Sequence, residues 1–249
     1  MPQPVTAAKP KAQMVTRPSA VAGHPSDSPW KPFADRRRDR ARKRDAVLKA
    51  AAGLFLEVGY DRGSLSEVAQ RLNITKPALY NYFPDKEAIL LECYRLGQER
   101  VSQAVAEIDA AGQSGLKRVR SFILAYALIM TEDFGMCLVR LDDRVLAPTD
   151  RARVRAEKRR IDEALRRYLA DGIADGSIVA CDTKLSAFIL FGALHGIGHW
   201  YSAAGELEPE SIALRYAEAL TAGLARDESQ RIDESAAPDP PRRSTKTRR

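Results

Sequence analysis

The amino-acid sequence predicts an all-α protein, and three observations support this fold class. Apolar residues recur at the three- and four-residue spacing of amphipathic helices. No stretch of any length alternates apolar and polar residues as a half-buried strand does, and no internal repeat is present. We therefore expect a small N-terminal unit of three helices, followed by a larger helical body.

The predicted helices follow one another with short breaks at glycine or proline. The first carries an apolar stripe from Val47 to Val58 and ends at Gly59, a residue that suits a helix C-terminus. Later breaks fall at Gly112, at Pro148, between Gly172 and Gly176, and between Gly205 and Pro209. The spacing predicts eight further helices, over 64–72, 75–83, 85–111, 115–131, 135–146, 149–174, 182–203 and 209–225.

Composition excludes several classes of protein. The longest apolar stretch, 185–194, is shorter than the roughly 20 residues that a membrane helix needs. The first fifteen residues lack the continuous apolar core of a secretory signal. Cys93, Cys137 and Cys181 lie far apart, which argues against a disulfide framework or a cysteine-rich zinc site. We expect a reduced, cytoplasmic protein that makes no membrane contact.

Charge is distributed unevenly over four predicted segments. Residues 1–35 and 227–249 read as disordered tails, the latter basic, because they are rich in polar residues and proline. The net charge is +7, and residues 36–86 hold twelve basic and six acidic side chains, whereas 87–226 are mildly acidic. A basic unit on an acidic body suggests a polyanion-binding domain. A solvated charged face would have the same composition.

The segment after Gly59 carries local signals for two short helices joined by a tight turn. Ser64 and Glu67 have the spacing of a capping box at a helix start. Asn73 tolerates the positive φ that a turn between helices requires. Thr75 suits the cap of the next helix, and Pro77 is tolerated in its first turn. With the first helix beneath them, the two helices form a predicted helix-turn-helix.

The third helix of this unit has a buried and an outward side. Leu79 and Phe83, four residues apart, supply the buried side. The residues left facing outward are Thr75, Lys76, Pro77, Ala78, Tyr80 and Asn81. An ordinary helical hairpin, in which Tyr80, Tyr82 and Phe83 are all core, is the alternative.

Residue types on the outward side suit double-stranded DNA. Lys76 is placed for a guanine edge, Asn81 for adenine, and Pro77 and Ala78 for thymine methyl groups. Phosphate oxygens suit three further side chains, those of Ser64, Tyr80 and Lys86. The basic run 36–44 could follow the DNA backbone or enter a minor groove, or it could be a nonspecific charged arm.

The sequence from AAGLFLEVGY (51–60) through SLSEVA (64–69) to TKPALYNYFPDKE (75–87) resembles the TetR family of transcriptional regulators. The resemblance covers about residues 44–92. It implies that Thr75 to Asn81 form the recognition helix and that Ser64, Tyr80 and Lys86 contact phosphate. Gly63 replaces the usual threonine, which puts one phosphate contact in doubt. Asn73 replaces the usual turn glycine and is compatible with the turn. The family implies a homodimer with a C-terminal ligand-binding domain, commonly a repressor released from a palindromic operator by a small molecule.

The body offers candidates for a ligand pocket and for a dimer contact. Gly192 and Gly196, four residues apart, permit close approach of another helix. We favour a dimer contact with helix 209–225, although space for a pocket would give the same pattern. The segment 191–201, with 205 and 210–213, resembles the C-terminal helices of acyl-CoA-responsive family members, which implies a small hydrophobic or acyl-CoA-type effector. Side chains that could line a pocket, or simply form core, are Tyr126, Met130, Met136, Cys137, Phe188, Phe191, His195 and His199.

His195 and His199 have the i, i+4 spacing that can chelate zinc. Gly196 stands where a zinc protease carries glutamate, and no third ligand is apparent, so we expect no metal and no cofactor. A histidine-dependent or zinc hydrolase and a ligand-independent DNA-coating protein are the alternatives to a non-enzymatic regulator.

The arginine-rich stretch 151–167 reads as an ion-paired face. Alternatively, some of its arginines receive a ligand phosphate or carboxylate.

Overall fold

The computed structural model describes residues 33–226. The chain divides into two compact units, residues 1–41 and residues 42–249. The predicted tails, 1–35 and 227–249, lie outside the described residues, except that 33–35 belong to the first helix.

Nine α-helices and one short 3₁₀ turn make up the described part of the chain, and no strand occurs there. One isolated antiparallel bridge joins Ile178 to Ala225. The helices are α1 (Phe33–Val58), α2 (Leu65–Arg71), α3 (Lys76–Tyr80), α4 (Lys86–Ala110), α5 (Gly115–Ile129), α6 (Asp133–Arg140), α7 (Pro148–Ala174), α8 (Thr183–Trp200) and α9 (Pro209–Ala222). The prediction of an all-α fold is confirmed.

The local signals around α2 and α3 form as expected. The Ser64 hydroxyl accepts from the Glu67 amide at 3.2 Å, and the Thr75 hydroxyl accepts from the Ala78 amide at 3.3 Å. Gly59 and Asn73 both adopt positive φ, at 86° and 51°. These residues end one helix and turn the chain before the next. The helix-turn-helix geometry therefore follows from interactions within a few residues of each turn.

Helices α3, α8 and α9 each end three residues before their predicted ends, and two further predicted boundaries differ by more. The basic run 36–44, predicted to precede the first helix, is part of α1, which begins at Phe33. The predicted helix 135–146 ends at Arg140, because Leu141 is extended and the Asp142 carboxylate accepts from the Arg144 amide. A carboxylate that bonds to nearby backbone amides competes with helix continuation. A 3₁₀ turn, Asp143–Val145, follows.

Helix α5 is central to the body, where it contacts α4, α7, α8 and α9. Its Val119, Phe122 and Ile123 are fully buried. Helix α6 packs closely on α4 at Gly97, where an added Cβ would lie 2.5 Å from the Phe134 carbonyl oxygen. That contact fixes how near the two backbones approach.

Among the described residues, no single helix is both long and apolar enough to cross a membrane. The bent pair Gly115–Ile129 and Asp133–Arg140, whose axes differ by 95°, passes the same test of length and composition when taken together.

Gly97→Ala should lower the free energy of unfolding by about 1–3 kcal/mol, because its methyl group would overpack backbone as well as the Leu138 side chain. Urea denaturation measures this. The matched control is Gly53→Ala in α1, where no atom lies within 4 Å of the added methyl group. Equal stability of the two variants would contradict the close packing of α4 and α6.

Candidate functional site

The outward side of α3 forms the first part of the candidate site. Leu79 is fully buried and Phe83 nearly so, whereas Tyr80 is 44% exposed. Thr75, Lys76 and Pro77 are exposed. Lys76 has no hydrogen-bond or ion-pair partner among residues 33–226, so its ammonium is available to a ligand. Asn81 is also exposed and Ala78 is half-buried.

The capping hydroxyls keep capacity for a second bond. Ser64 and Thr75 each use a hydroxyl oxygen to accept from an amide. A hydroxyl also has one hydrogen to donate, and a phosphate oxygen can accept it. The Ser64 side of α2 and the first turn of α3 can thus bind anionic oxygens without losing their caps.

Lys86, at the start of α4, is held against the first helix and the turn that follows it. Its ammonium donates to the Asp61 carbonyl at 3.3 Å and lies 4.2 Å from the centre of the Tyr60 ring. Burial lowers the pKa of Lys86, and the nearby Asp61 carboxylate opposes that shift. An ammonium has three donors, so two remain for phosphate.

The unusual Gly63 has a packing reason. It is buried, and an added Cβ would lie 2.9 Å from Cδ1 of the Phe55 ring and 3.3 Å from Leu54. The residue packs against the core side of α1, where a larger side chain would collide with Phe55.

A cavity of about 510 Å³ forms the second part of the candidate site. Five helices, α4 to α8, contribute side chains to it. Predicted pocket residues that line it are Tyr126, Phe188, Phe191, His195 and His199. Lining residues that were not among the predicted pocket residues are Gln98, Leu138, Val139, Lys158, Arg159, Ile161 and Asp162. Lys158 and Arg159 belong to the arginine-rich stretch for which a ligand role is the stated alternative.

Three predicted pocket residues do not line this cavity. Met130 is fully buried, and Met136 is half-buried. Cys137 is fully buried and its thiol hydrogen-bonds that of Cys93, which together with burial raises the pKa of Cys137. Cys137 thus packs α6 against α4, and Met130 lies near Gly198 of α8.

A Tyr–His pair lies at the buried end of the cavity. The Tyr126 hydroxyl lies 3.0 Å from Nε2 of His195, and the Phe191 ring packs edge-on against Tyr126. Burial, together with the positive charges of Lys158 and His199, lowers the pKa of His195 to about 4. The imidazole is therefore neutral near pH 7. Burial also raises the pKa of Tyr126, which stays protonated.

A zinc site at His195 and His199 finds no support. His195 uses Nε2 in its bond with Tyr126. Within the described part of the chain, no cluster of three or more His, Cys, Asp or Glu side chains has the geometry to hold a metal. The residues present do not fit the group that a hydrolase would need.

Helix α8 turns an unpartnered apolar face outward. Leu185 and Ile189 are 59% and 66% exposed, and Gly192 is exposed next to them. No atom lies within 4 Å of a Cβ added at Gly192 or Gly196. We call Leu185, Ile189, Gly192 and Gly196 the α8 face. Large exposed apolar surfaces of this kind mark contact sites.

Two family models match the chain. Residues 47–93 match "Bacterial regulatory proteins, tetR family", and residues 112–224 match "Tetracyclin repressor-like, C-terminal domain". The first contains the helix-turn-helix and the second contains most of the cavity.

Individual relatives agree with these matches. The uncharacterised regulator YuxN of Bacillus subtilis is 33% identical over 72 residues, which cover 29% of this chain and 25% of that protein. The regulator PfmR of Thermus thermophilus is 28% identical with a TM-score of 0.65, over 72% of this chain and 99% of that one. AibR, solved with isovaleryl coenzyme A and operator DNA, is 23% identical with a TM-score of 0.63, over 71% and 97%.

The helix-turn-helix, the helical body that holds the cavity and the matches to both halves agree with one another. The chain belongs to the TetR family of bacterial regulatory proteins.

Proposed function

We propose that the protein is a ligand-responsive DNA-binding transcriptional regulator that acts as a homodimeric repressor on a palindromic operator. The observation that carries this proposal is α3, whose Leu79 is buried while Lys76 and Tyr80 face outward. Membership of the family and the repressor-like C-terminal match support it. A bacterial regulator of this kind acts in the cytoplasm, where operator DNA is found.

The proposed contacts divide into two kinds. Lys76, Pro77, Ala78 and Asn81 read base edges in a major groove. Phosphates are contacted by the hydroxyls of Ser64, Thr75 and Tyr80 and by the Lys86 ammonium, all of which set the register of α3 on the duplex. Two copies of α3 would occupy successive major grooves of a two-fold operator.

Helix α4 provides the proposed link between the cavity and the DNA-binding helices. Gln98 lines the cavity and donates to the Val154 carbonyl of α7 at 2.8 Å. Six residues earlier in α4, Glu92 accepts a hydrogen bond from Arg44 of α1 at 2.8 Å. The Arg44 guanidinium lies 4.7 Å from the centre of the Phe83 ring. A ligand that moves α4 through Gln98 would therefore also move α1 and the end of the helix-turn-helix.

The effector is a small hydrophobic or acyl-CoA-type molecule that binds in the cavity. The volume of the cavity lies within the range of about 300–1,000 Å³ that accommodates small ligands. AibR, which shares this fold, binds isovaleryl coenzyme A. The ligand would favour a spacing of the two α3 helices that does not fit the operator, and so release DNA by a shift of population.

Two alternatives are less well supported. A DNA-coating protein without a ligand would have no use for a cavity with a buried Tyr126–His195 pair. A zinc hydrolase would need a metal site, and the described residues hold no group of three or more His, Cys, Asp or Glu side chains that could bind one. The relatives are transcriptional regulators, which agrees with a protein that does no catalysis.

Lys76→Ala should reduce the preference for operator over unrelated DNA, with a loss at the cognate base of about 1–3 kcal/mol. Lys86→Ala should weaken operator and unrelated DNA alike, since it removes a phosphate contact. Fluorescence anisotropy with both DNAs measures this. Lys117→Ala, an exposed lysine of α5, is the control. Unchanged operator binding in both variants would contradict these contacts.

Gly192→Arg should convert the dimer to a monomer while the single chain stays folded, because the added side chain enters open space on the α8 face. Analytical ultracentrifugation and thermal unfolding measure the two effects. Gly53→Arg adds the same side chain in α1, again without an atom within 4 Å of its Cβ, and should stay dimeric. A dimeric Gly192→Arg protein would exclude the α8 face as the interface.

Acid should destabilise the fold through His195. Its pKa is about 4 in the folded chain and near 6.5 when unfolded, so between these values only the unfolded state gains a proton. The free energy of unfolding should fall by about 2 kcal/mol as the pH drops from 6.5 to 4. His195→Gln should flatten this decline in urea titrations, whereas His199→Gln should retain it. An equal decline in all three proteins would show that His195 titrates alike in both states.

A further inference from the structure

The exposed end of the cavity carries two adjacent cations from α7, Lys158 and Arg159. Arg159 is exposed and has no hydrogen-bond or ion-pair partner within residues 33–226. Its neighbour Arg160, by contrast, pairs with Glu157 at 3.1 Å. Most of this stretch is an ion-paired face as expected, and Arg159 is the cavity-lining member that lacks a carboxylate.

The carboxylates near this end do not cancel its positive charge. Asp162 is the acidic residue that lines the cavity, and its carboxylate lies 2.6 Å from the Arg166 guanidinium. Lys158 lies 3.5 Å from the Asp143 carboxylate, which Arg155 binds more closely, at 2.9 Å. Lys158, Arg159 and the two arginines that bind these carboxylates thus outnumber Asp143 and Asp162 by four to two. The local field is therefore positive.

The buried end of the same cavity is uncharged. The Phe191 ring packs against both Tyr126 and His195, with ring centres 5.5 and 5.6 Å away. His195 is neutral near pH 7 because burial lowers its pKa to about 4. An ionised group placed there would lose its hydration without gaining an opposite charge, which is costly. The cavity therefore has one apolar end and one cationic end.

We propose, on the basis of the proposed effector site, that the effector is a lipophilic anion. Its apolar part lies against Phe191, Tyr126 and His195, and its acidic group lies at Arg159 and Lys158. The guanidinium of Arg159 offers paired donors that match the geometry of a carboxylate or a phosphate. The acidic group can come from a free fatty carboxylate or from the phosphates of an acyl coenzyme A.

The test uses isothermal titration of the full-length dimer with octanoate, octanoyl coenzyme A and 1-octanol. We expect at least one of the two anions to bind about tenfold or more tightly than the alcohol. Arg159→Ala should lower the affinity for that anion by about tenfold or more and leave the affinity for the alcohol unchanged. Arg160→Ala removes the same charge from a paired position outside this cavity and should bind like the wild type.

The two anions distinguish the source of the charge. Tight binding of octanoate assigns the site to a carboxylate, whereas binding of octanoyl coenzyme A alone assigns it to the phosphates. Three results would overturn the proposal: equal affinity for the alcohol and both anions, equal losses in Arg159→Ala and Arg160→Ala, or no binding of any of the three probes.

An operator-binding assay on the same proteins separates this inference from the proposed function. If an anion binds through Arg159 but DNA binding is absent or does not respond to it, the proposed regulator role fails and the lipophilic-anion site stands. If the protein binds its operator but none of the probes depends on Arg159, the regulator role stands and the anion site fails.

Discussion

Burial of Leu79 and Phe83 sets the orientation of α3 and, through it, the surface that the protein offers to DNA. The two side chains are four residues apart, so anchoring one turn of a short helix fixes the direction of every other side chain on it. The side chains of Lys76 and Tyr80 then face solvent. A five-residue helix has little stability of its own, and its position depends on this packing.

Helix α4 connects the two parts of the candidate site because it contributes residues to both. Its first residue, Lys86, lies on the Tyr60 ring, and Glu92, six residues later, binds Arg44. Gln98, a further six residues along, lines the cavity. Next to it, Gly97 lets α6 pack closely against α4. A rigid helix with contacts at both ends transmits a tilt over its whole length.

The DNA-binding half could be predicted from the sequence because its signals are local. A capping hydroxyl at Ser64, a left-handed turn at Asn73 and an anchor at Leu79 each depend on residues within four positions. The same reasoning missed the start of α1, since residues 33 to 46 carry no apolar stripe. Arginine is nevertheless a good helix former.

The cavity could be predicted only in part, for a physical reason. An apolar helical stripe has the same pattern whether it faces core or an open space, so Met130 and Tyr126 could not be separated by spacing. Likewise, the sequence shows that 151–167 is rich in arginine, but which arginine lacks a carboxylate depends on where Asp143 and Asp162 lie after folding. Long-range contacts decide both questions.

The carboxylate that joins α4 to α1 has a further consequence. Hydrogen bonds from Arg95 and Arg44 lower the pKa of Glu92 to about 2, although burial opposes them. This group therefore stays ionised, and His195 stays neutral, throughout the range of acidity that a living cell experiences. Within the folded protein, Glu92 and His195 therefore each keep one protonation state over that range. The ion pair of Glu92 with Arg44 and the hydrogen bond between Tyr126 and His195 are thus retained across that range.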